Sequence, residues 1–433
     1  MGRTALMMVA SLTFVILVLG PNMYRYASSS YANFTTYNGR TMAHNIAVSG
    51  ANIAANQIFL NKAWTTGYSN LSLSGGTFNV WVTAETTSYG VVRKRIHSTS
   101  LYTTNNQNFL DTIEVLLGPS TFAEFCVYLQ NMGGGVSWAT GDSVYGPCHI
   151  DSVMNISGSP VFFGKTTSKN GTNPKLPHAG VTPQFLGGYQ SGVAVPMPQS
   201  FGPTQDSATA RGKVFTPPGS PSGNYSLTVT LNSDSTITYQ EAKGAWTGPL
   251  TTVKILTLAP NATIWVNGGN INIQGTLKGR LTIIAGGTKG SSTTGNAFIT
   301  GNIKYATDPL LAGAGTDMLG LMADNSIDIP APPGFNPPTV PAQHDVIIEA
   351  GVFTRTGKFY TDLYNNTKAT GLGSVRLIGS LTSYNIGAFS TPNSDGSVKY
   401  GYRNYFQFDN RFYVSCPPNY PITGFFEVLL WKE

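Results

Sequence analysis

The side chains able to hold a metal or move a proton are sparse in this chain and poorly spaced for chemistry. Five histidines, His44, His97, His149, His178 and His344, show neither H-x-x-x-H nor H-E-x-x-H spacing, so no zinc site is read from them. Three cysteines, Cys126, Cys148 and Cys416, form no C-x-x-C pair. In an exported domain, Cys126 and Cys148 could close a disulfide around the 21 residues between them. The other reading is three small buried hydrophobes, and the sequence leaves both open. Asp142, Asp151, Asp317, Asp324, Asp328 and Asp345 lie near turns, where a carboxylate commonly caps backbone N–H groups. Glycoside hydrolysis needs two convergent carboxylates, yet Ile264 to Tyr305 contains no Asp or Glu. There is no G-x-S-x-G elbow, and Gly287-Thr288-Lys289-Gly290 has the wrong order for a phosphate-binding loop. No catalytic, cofactor-binding or metal-binding residue is therefore assigned, and a non-enzymatic protein without cofactors is expected.

The elements that would have to position such groups are mostly strands. The 433 residues include 49 Gly and 26 Pro, with 41% apolar and only 11% charged residues. Ordinary soluble domains carry about 25% charged residues. Low charge with this much apolar content suits an extracellular β protein surfaced by Ser, Thr, Asn and Tyr, not a disordered chain. The net charge of +6 is concentrated at one end: Arg3, Arg25, Arg40 and Lys62 precede the first acidic residue, Glu85. No basic cluster exists beyond Arg93, Lys94 and Arg95, so no nucleic-acid partner is expected.

The fold class read from these patterns is α+β: one long N-terminal helix, then a large all-β body with a β-helix-like or sandwich region. Four segments are expected: 1–62, the long hydrophobic helix; 63–216, a first β-rich region; 217–341, β-helix-like rungs with Pro-rich flanks; and 342–433, a last β region. The rung signal is strongest from Ile264 to Tyr305, where short alternating strands are punctuated by Gly268, Gly269, Gly275, Gly279, Gly286 and Gly301. The Gly/Ser/Thr-rich stretch Gly286 to Gly295 is expected to be a mobile loop.

No charge occurs between Thr4 and Tyr24, and Leu6, Leu12, Phe14, Ile16 and Leu19 belong to a run long enough to span a bilayer. A cleaved signal peptide is the competing reading, but Pro21, Asn22, Met23 and Tyr24 after the run make a poor cleavage site. Helical periodicity continues to Leu60, giving a helix of about 85 Å at 1.5 Å per residue. Ala43, Ala47, Ala51 and Ala55 recur at every fourth residue, with Gly50 among them. Small residues at this spacing let a second backbone come close. That backbone belongs either to a copy of the same helix or to the chain's own β domain. On the first reading, Phe at Ala47 and Ala51 would abolish a polymer and leave the β domain folded.

These features resemble the type IV pilin-like proteins, in particular the large minor pilins of pilus assembly. The resemblance rests on Gly2 before the apolar run, Leu19-Gly20 at its end, and Ala43-His44-Asn45-Ile46-Ala47-Val48-Ser49-Gly50-Ala51-Asn52. It continues through Gly75 to Val80, Ile96 to Ser100, Trp138 to His149, Asp317 to Ala323, and the ending from Gly401 through Pro417-Pro418, Tyr420-Pro421 and Trp431. It implies a structural subunit held in the inner membrane and handled by a pilus assembly machinery. The subunit then polymerises with copies of itself through the helix into an extracellular filament. Leu6, Leu12, Phe14, Ile16, Leu19, Ala43, Ala47, Gly50, Ala51 and Ala55 would pack the helical core, and Gly2 would mark processing. One feature departs from the family: a glutamate is expected at the fifth mature residue, which is Met7 counted from Gly2 or Ala5 counted from Met1. Loss of that glutamate is tolerated in minor, tip-located pilins, which makes an assembly or adhesion role the alternative. A membrane-anchored carbohydrate-active enzyme is a second alternative.

Overall fold

The computed structural model describes residues 2–86, 92–133, 135–311, 315–331, 345–367, 369–393 and 398–433. His344 and most of the Pro330–Pro341 linker lie outside these residues. The chain forms two compact units. One holds Met1–Glu85, Val92–Gly118 and Phe426–Glu433; the other holds Thr86–Val91 and Pro119–Phe425. Most of the second unit, Pro119–Phe425, is inserted in the chain between two strands of the first.

In the first unit, a single helix, α1 (Gly2–Leu60), runs unbroken through Pro21. A proline there removes one intrahelical N–H donor. Asn22 Nδ2 donates to the Val18 carbonyl at 2.9 Å, one turn back. A five-stranded sheet follows, with strands β1 (Tyr68–Leu73), β2 (Gly76–Thr86), β3 (Val92–Thr104) and β4 (Gln107–Thr121) in order and the C-terminal strand Ile422–Lys432 beside β4. Two-residue turns close the β1–β2 and β3–β4 hairpins. Ser74–Gly75 (φ 50° and 81°) and Asn105–Asn106 (φ 48° and 56°) adopt the left-handed conformations such hairpin turns need. Along β3 burial alternates, so Lys94, Ile96, Ser98 and Ser100 all face inward. Ile46, Ala47, Ala51, Ala54 and Ile58 of α1 form a core with Phe78, Val80, Ile96, Ile113, Val115 and Leu117.

The second unit is a parallel β-solenoid. The strands expected between Ile264 and Tyr305 do stack as rungs, with Ile264 beside Ile283 and Ile271 beside Ala297. The stack extends far beyond them. Strands Lys213–Phe215, Thr263–Asn267, Arg280–Gly286, Met318–Ala323, Val346–Thr361 and Ser374–Ile386 pair in parallel, in that order. Next comes an out-of-sequence step: Ser374–Ile386 pairs in parallel with Val127–Asn131, which continues through Cys148–Ile150 and Thr166–Ser168 to Tyr189–Ser191. The strand set expected to begin near Asp345 is thus one more coil of the same stack.

The chain must return from the Tyr189–Ser191 end to the Lys213–Phe215 end, and residues 192–211 do so along the stack. Val195 bonds to Tyr128 and Asp151, the Gln199 carbonyl accepts from Arg355, Phe201 meets Phe353 edge-on, and the Ser207 carbonyl in helix Gly202–Arg211 accepts from Asn261. The Gly286–Gly295 stretch, expected to be mobile, is held by two buried side chains. Gly287 N–H donates to Asp324 Oδ2 at 2.9 Å, Gly290 N–H donates to Asn325 Oδ1 at 2.8 Å, and Asn325 Nδ2 donates to the Thr294 carbonyl at 2.7 Å.

Candidate assembly segment and polar clusters

The first half of α1 is bare. Every described residue from Gly2 to Phe34 is exposed, including Leu6 (74%), Leu12, Phe14 (69%), Ile16 and Leu19. The helix is long and apolar enough to cross a membrane, and none of its most apolar window is buried within the chain. The polar groups in this half turn back on their own backbone. Ser11 Oγ donates to the Met8 carbonyl at 2.9 Å and Thr13 Oγ1 to the Val9 carbonyl at 2.8 Å. Such bonds let hydroxyls sit in an apolar medium without water.

An aromatic stripe follows that sequence reasoning did not single out. Tyr24, Tyr31, Phe34 and Tyr37 are each at least 66% exposed. At roughly 100° per residue they fall on the side of α1 away from Gly39, Ala43, Ile46, Ala47 and Gly50. The signal lay in the sequence as aromatics at intervals of seven, three and three residues.

The second half of α1 has a partner already. Ala43, Ala47 and Ala51 have no exposed surface, Gly50 is buried, and Ala55 is half-buried. What covers them is this chain's own sheet, so of the two readings of the small-residue stripe the domain-packing one describes these residues. Contact with a copied helix through Ala43, Ala47, Gly50 and Ala51 is not open while the sheet is in place. The close approach is specific. Ser98 Oγ donates to the Ala47 carbonyl at 2.7 Å, and Ser100 Oγ to the Ala43 carbonyl at 2.6 Å. A Cβ on Gly50 would lie 2.6 Å from Ser98 Oγ. His44 Nδ1 meets Asp111 Oδ2 at 2.7 Å beside this seam. Lys94, almost wholly buried, donates to the carbonyls of Lys62 and of Trp64 (2.9 Å), and burial holds its ammonium below the usual lysine value.

The candidates for chemistry belong to the second unit. Cys126 and Cys148 are buried free thiols with no disulfide between them, so the small-hydrophobe reading fits both. Burial pushes the Cys148 thiol up to about 12. His149 has no exposed surface. Its Nδ1 meets Thr167 Oγ1 at 2.7 Å, its ring stacks on Tyr128, and its Nε2 lies 3.5 Å from Asp151 Oδ1. Burial, the largest influence, holds His149 below the ordinary imidazole value.

Five of the turn aspartates accept backbone N–H groups, Asp151 among them: Asp142 does so from Ala139, Asp317 from Gly279, Asp324 from Gly287 and Asp345 from Ser374. Asp151 accepts from Val195 and ties down the returning strand. Asp328 differs. It is buried with Oδ1 unpartnered, and burial first, then Asp362, push its carboxyl up. Among the described residues, no group of three or more His, Cys, Asp or Glu side chains is placed to hold a metal ion.

A long apolar N-terminal helix, bare over its first half and packed on a sheet over its second, with a large β-rich body, is a pilin-like architecture. No family model, curated protein or solved structure matches the chain.

Proposed function

We propose that the chain is a structural subunit of an extracellular, type IV pilus-like filament. The observation that carries this reading is the division of α1: its own sheet covers a face from Gly39 to Ile58 and leaves the apolar run from Leu6 to Leu19 with nothing to bury it. In a bilayer, lipid covers that run; after extraction by an assembly machinery, the helices of neighbouring copies do. Such an assembly is head-to-tail and open, and grows without closing. The solenoid is carried on the filament as its exposed part, and the subunit acts by burial, without a reaction of its own. The absence of any acidic residue from Gly2 to Leu60 favours a minor or tip position, since nothing on the helix matches the glutamate that guides the major subunits the chain resembles.

The test is Leu12→Arg. Nine Leu, Ile, Phe and Val residues from Leu6 to Leu19 each contribute about 0.3–0.6 kcal/mol to insertion, together about 3–5 kcal/mol. One central Arg costs about 2.5–3.5 kcal/mol and cancels most of it. The variant is expected to lose membrane partitioning and surface filaments while its sheet stays protected from hydrogen exchange. Unchanged filaments would overturn the reading, as would a wild-type chain that stays monomeric in water without detergent. Quantifying the chain in purified filaments separates the positions: a main band means a major subunit, a trace component a minor one.

A further inference from the structure

The two ends of the solenoid are finished differently. At the Lys213–Phe215 end, the antiparallel strand Thr236–Lys243 lies along the outer edge of Tyr225–Leu231, and its Ile237 has no exposed surface. At the other end, among the described residues, Gln184–Phe185 pairs with Val161–Phe162 alone and Tyr189–Ser191 with Thr166–Ser168 alone. We propose that this open end binds an extended acidic segment of another protein as an added strand.

The edge is set up for pairing. Thr166 N–H donates to the Gly188 carbonyl at 3.0 Å. Successive residues of a parallel strand turn their N–H and C=O groups alternately to one neighbour and the other. Tyr189 and Ser191 therefore turn theirs away from Thr166–Ser168, toward the open side. Gln190, Ser191 and Gly192 are all exposed, which leaves this stretch of backbone within reach of a ligand. An unpaired row of this kind is a template for a further strand. The end of the core is apolar as well. Leu176, Val181, Phe185, Tyr189 and Val193 pack against the core yet are only partly buried, and Leu186 is 62% exposed. Terminal coils of stacked proteins ordinarily carry a polar outer face, which these five side chains do not supply. Phe185 already stacks on Phe162 of the preceding coil, with 5.2 Å between ring centroids, and apolar side chains of an added strand would cover it in the same way.

Charge selects the occupant. From Ser152 to Gln205 there is no Asp or Glu, while Lys165, Lys169, Lys175 and His178 all lie in that stretch. Lys169 Nζ is 3.5 Å from the Asp151 carboxylate. Lys165 and Lys175 are exposed. A second copy docked end to end would set these lysines against their own counterparts, which disfavours the chain itself as the occupant. A strand that alternates apolar and acidic residues meets both features: one of its faces covers Phe185 and Tyr189, and the other offers carboxylates to the lysines. The site does not rest on the filament reading, and failure of either proposal leaves the other standing.

The experiment is fluorescence anisotropy of a labelled heptapeptide of alternating Glu and Val, with the full chain in zwitterionic detergent, followed by hydrogen exchange on the complex. The comparison probes are the Lys/Val counterpart and a fully N-methylated Glu/Val peptide, which cannot donate to an edge. The Glu/Val peptide is expected to bind saturably and to slow exchange of the Tyr189 and Ser191 amides, and neither comparison peptide is expected to bind. Ser191→Pro removes one edge donor while leaving the inner ladder in place, and is expected to weaken binding roughly tenfold. Lys165→Glu with Lys175→Glu, at two exposed positions, is expected to turn the preference toward the Lys/Val peptide. Four results would overturn the proposal: no saturable binding of the Glu/Val peptide, equal binding of either comparison peptide, protection gained elsewhere than in residues 184–191, or self-association of the chain through those residues in place of peptide binding.

Discussion

Gly50→Ala tests how closely α1 and its sheet approach. In an exposed helix this change is stabilising by about 0.8–1.0 kcal/mol, the difference in helix propensity. At Gly50 the new Cβ would sit 2.6 Å from Ser98 Oγ and 2.8 Å from Phe78 Cδ2, and neither neighbour has any exposed surface. Moving the serine hydroxyl breaks its bond to the Ala47 carbonyl and strands it in the core, at about 1–3 kcal/mol. Shifting the phenylalanine ring overpacks the core, at about 1–3 kcal/mol. The two costs share one relaxation and do not add in full, so the net loss is about 2 kcal/mol. Gly20→Ala is the control, because nothing lies within 4 Å of its Cβ and the propensity gain stands alone. Native-state hydrogen exchange on the full chain in detergent reads both. The amides of β3 and of the Ala43–Ile58 segment are expected to exchange roughly 30-fold faster in Gly50→Ala. In Gly20→Ala they are expected to be unchanged. Equal protection in the two variants would refute the close contact and reopen the stripe to another helix.

Three further outcomes are expected. Ala47→Phe with Ala51→Phe should unfold the helix–sheet unit, visible as lost amide protection in β3, and not merely block assembly, because both side chains are wholly buried against the sheet. Asp328 has its carboxyl raised in the folded state, so its contribution is complete below the ordinary value of 3.8 and is lost as pH rises through the raised one. The urea midpoint of the solenoid should therefore fall with rising pH between about pH 4 and about pH 8, and Asp328→Asn should flatten that slope. Cys126 and Cys148 should resist alkylation in the folded chain and both take up label after denaturation without reductant; a mass showing them unlabelled would restore the disulfide.

The helix was legible because its signals are local: an uncharged apolar run, then apolar and small residues at three- and four-residue steps. What the small residues met was not legible. A second helix and a sheet both demand small side chains at the contact, and only Ser98 and Ser100, reaching the Ala47 and Ala43 carbonyls, decide between them. The rungs around Ile264 could be read because glycine turns separate strands that neighbour each other closely in both sequence and space. The coil Val127–Asn131 could not, because its partner, Ser374–Ile386, stands at the other end of the inserted unit and no local pattern records that pairing. Asp324 and Asn325 were open to recognition as turn residues, but the loop they hold lies thirty or more residues earlier, as the Asn325 bond to Thr294 shows.

The out-of-sequence coil explains how so long a segment can be inserted in the chain between two strands of one sheet. A solenoid built in chain order leaves its first and last strands at opposite ends of the stack. Here the first solenoid strand, Val127–Asn131, lies against a late one, Ser374–Ile386. The incoming and outgoing segments are therefore neighbours: Phe122 N–H donates to the Pro421 carbonyl at 3.1 Å, and Thr423 Oγ1 donates to the Ser120 carbonyl. Neighbouring segments suit two strands that must continue side by side, as β4 and Ile422–Lys432 do in the five-stranded sheet. The 192–211 return meets the topological cost once, and Asp151, Tyr128 and Arg355 fasten it. Coils added at either free end of the stack would leave this junction untouched, because stacked repeats contact only their neighbours. On that logic, loosening the return at Asp151→Ala should fray the Tyr189–Ser191 end before it disturbs the helix–sheet unit. Hydrogen exchange that rises first in β3 would show the reasoning to be wrong.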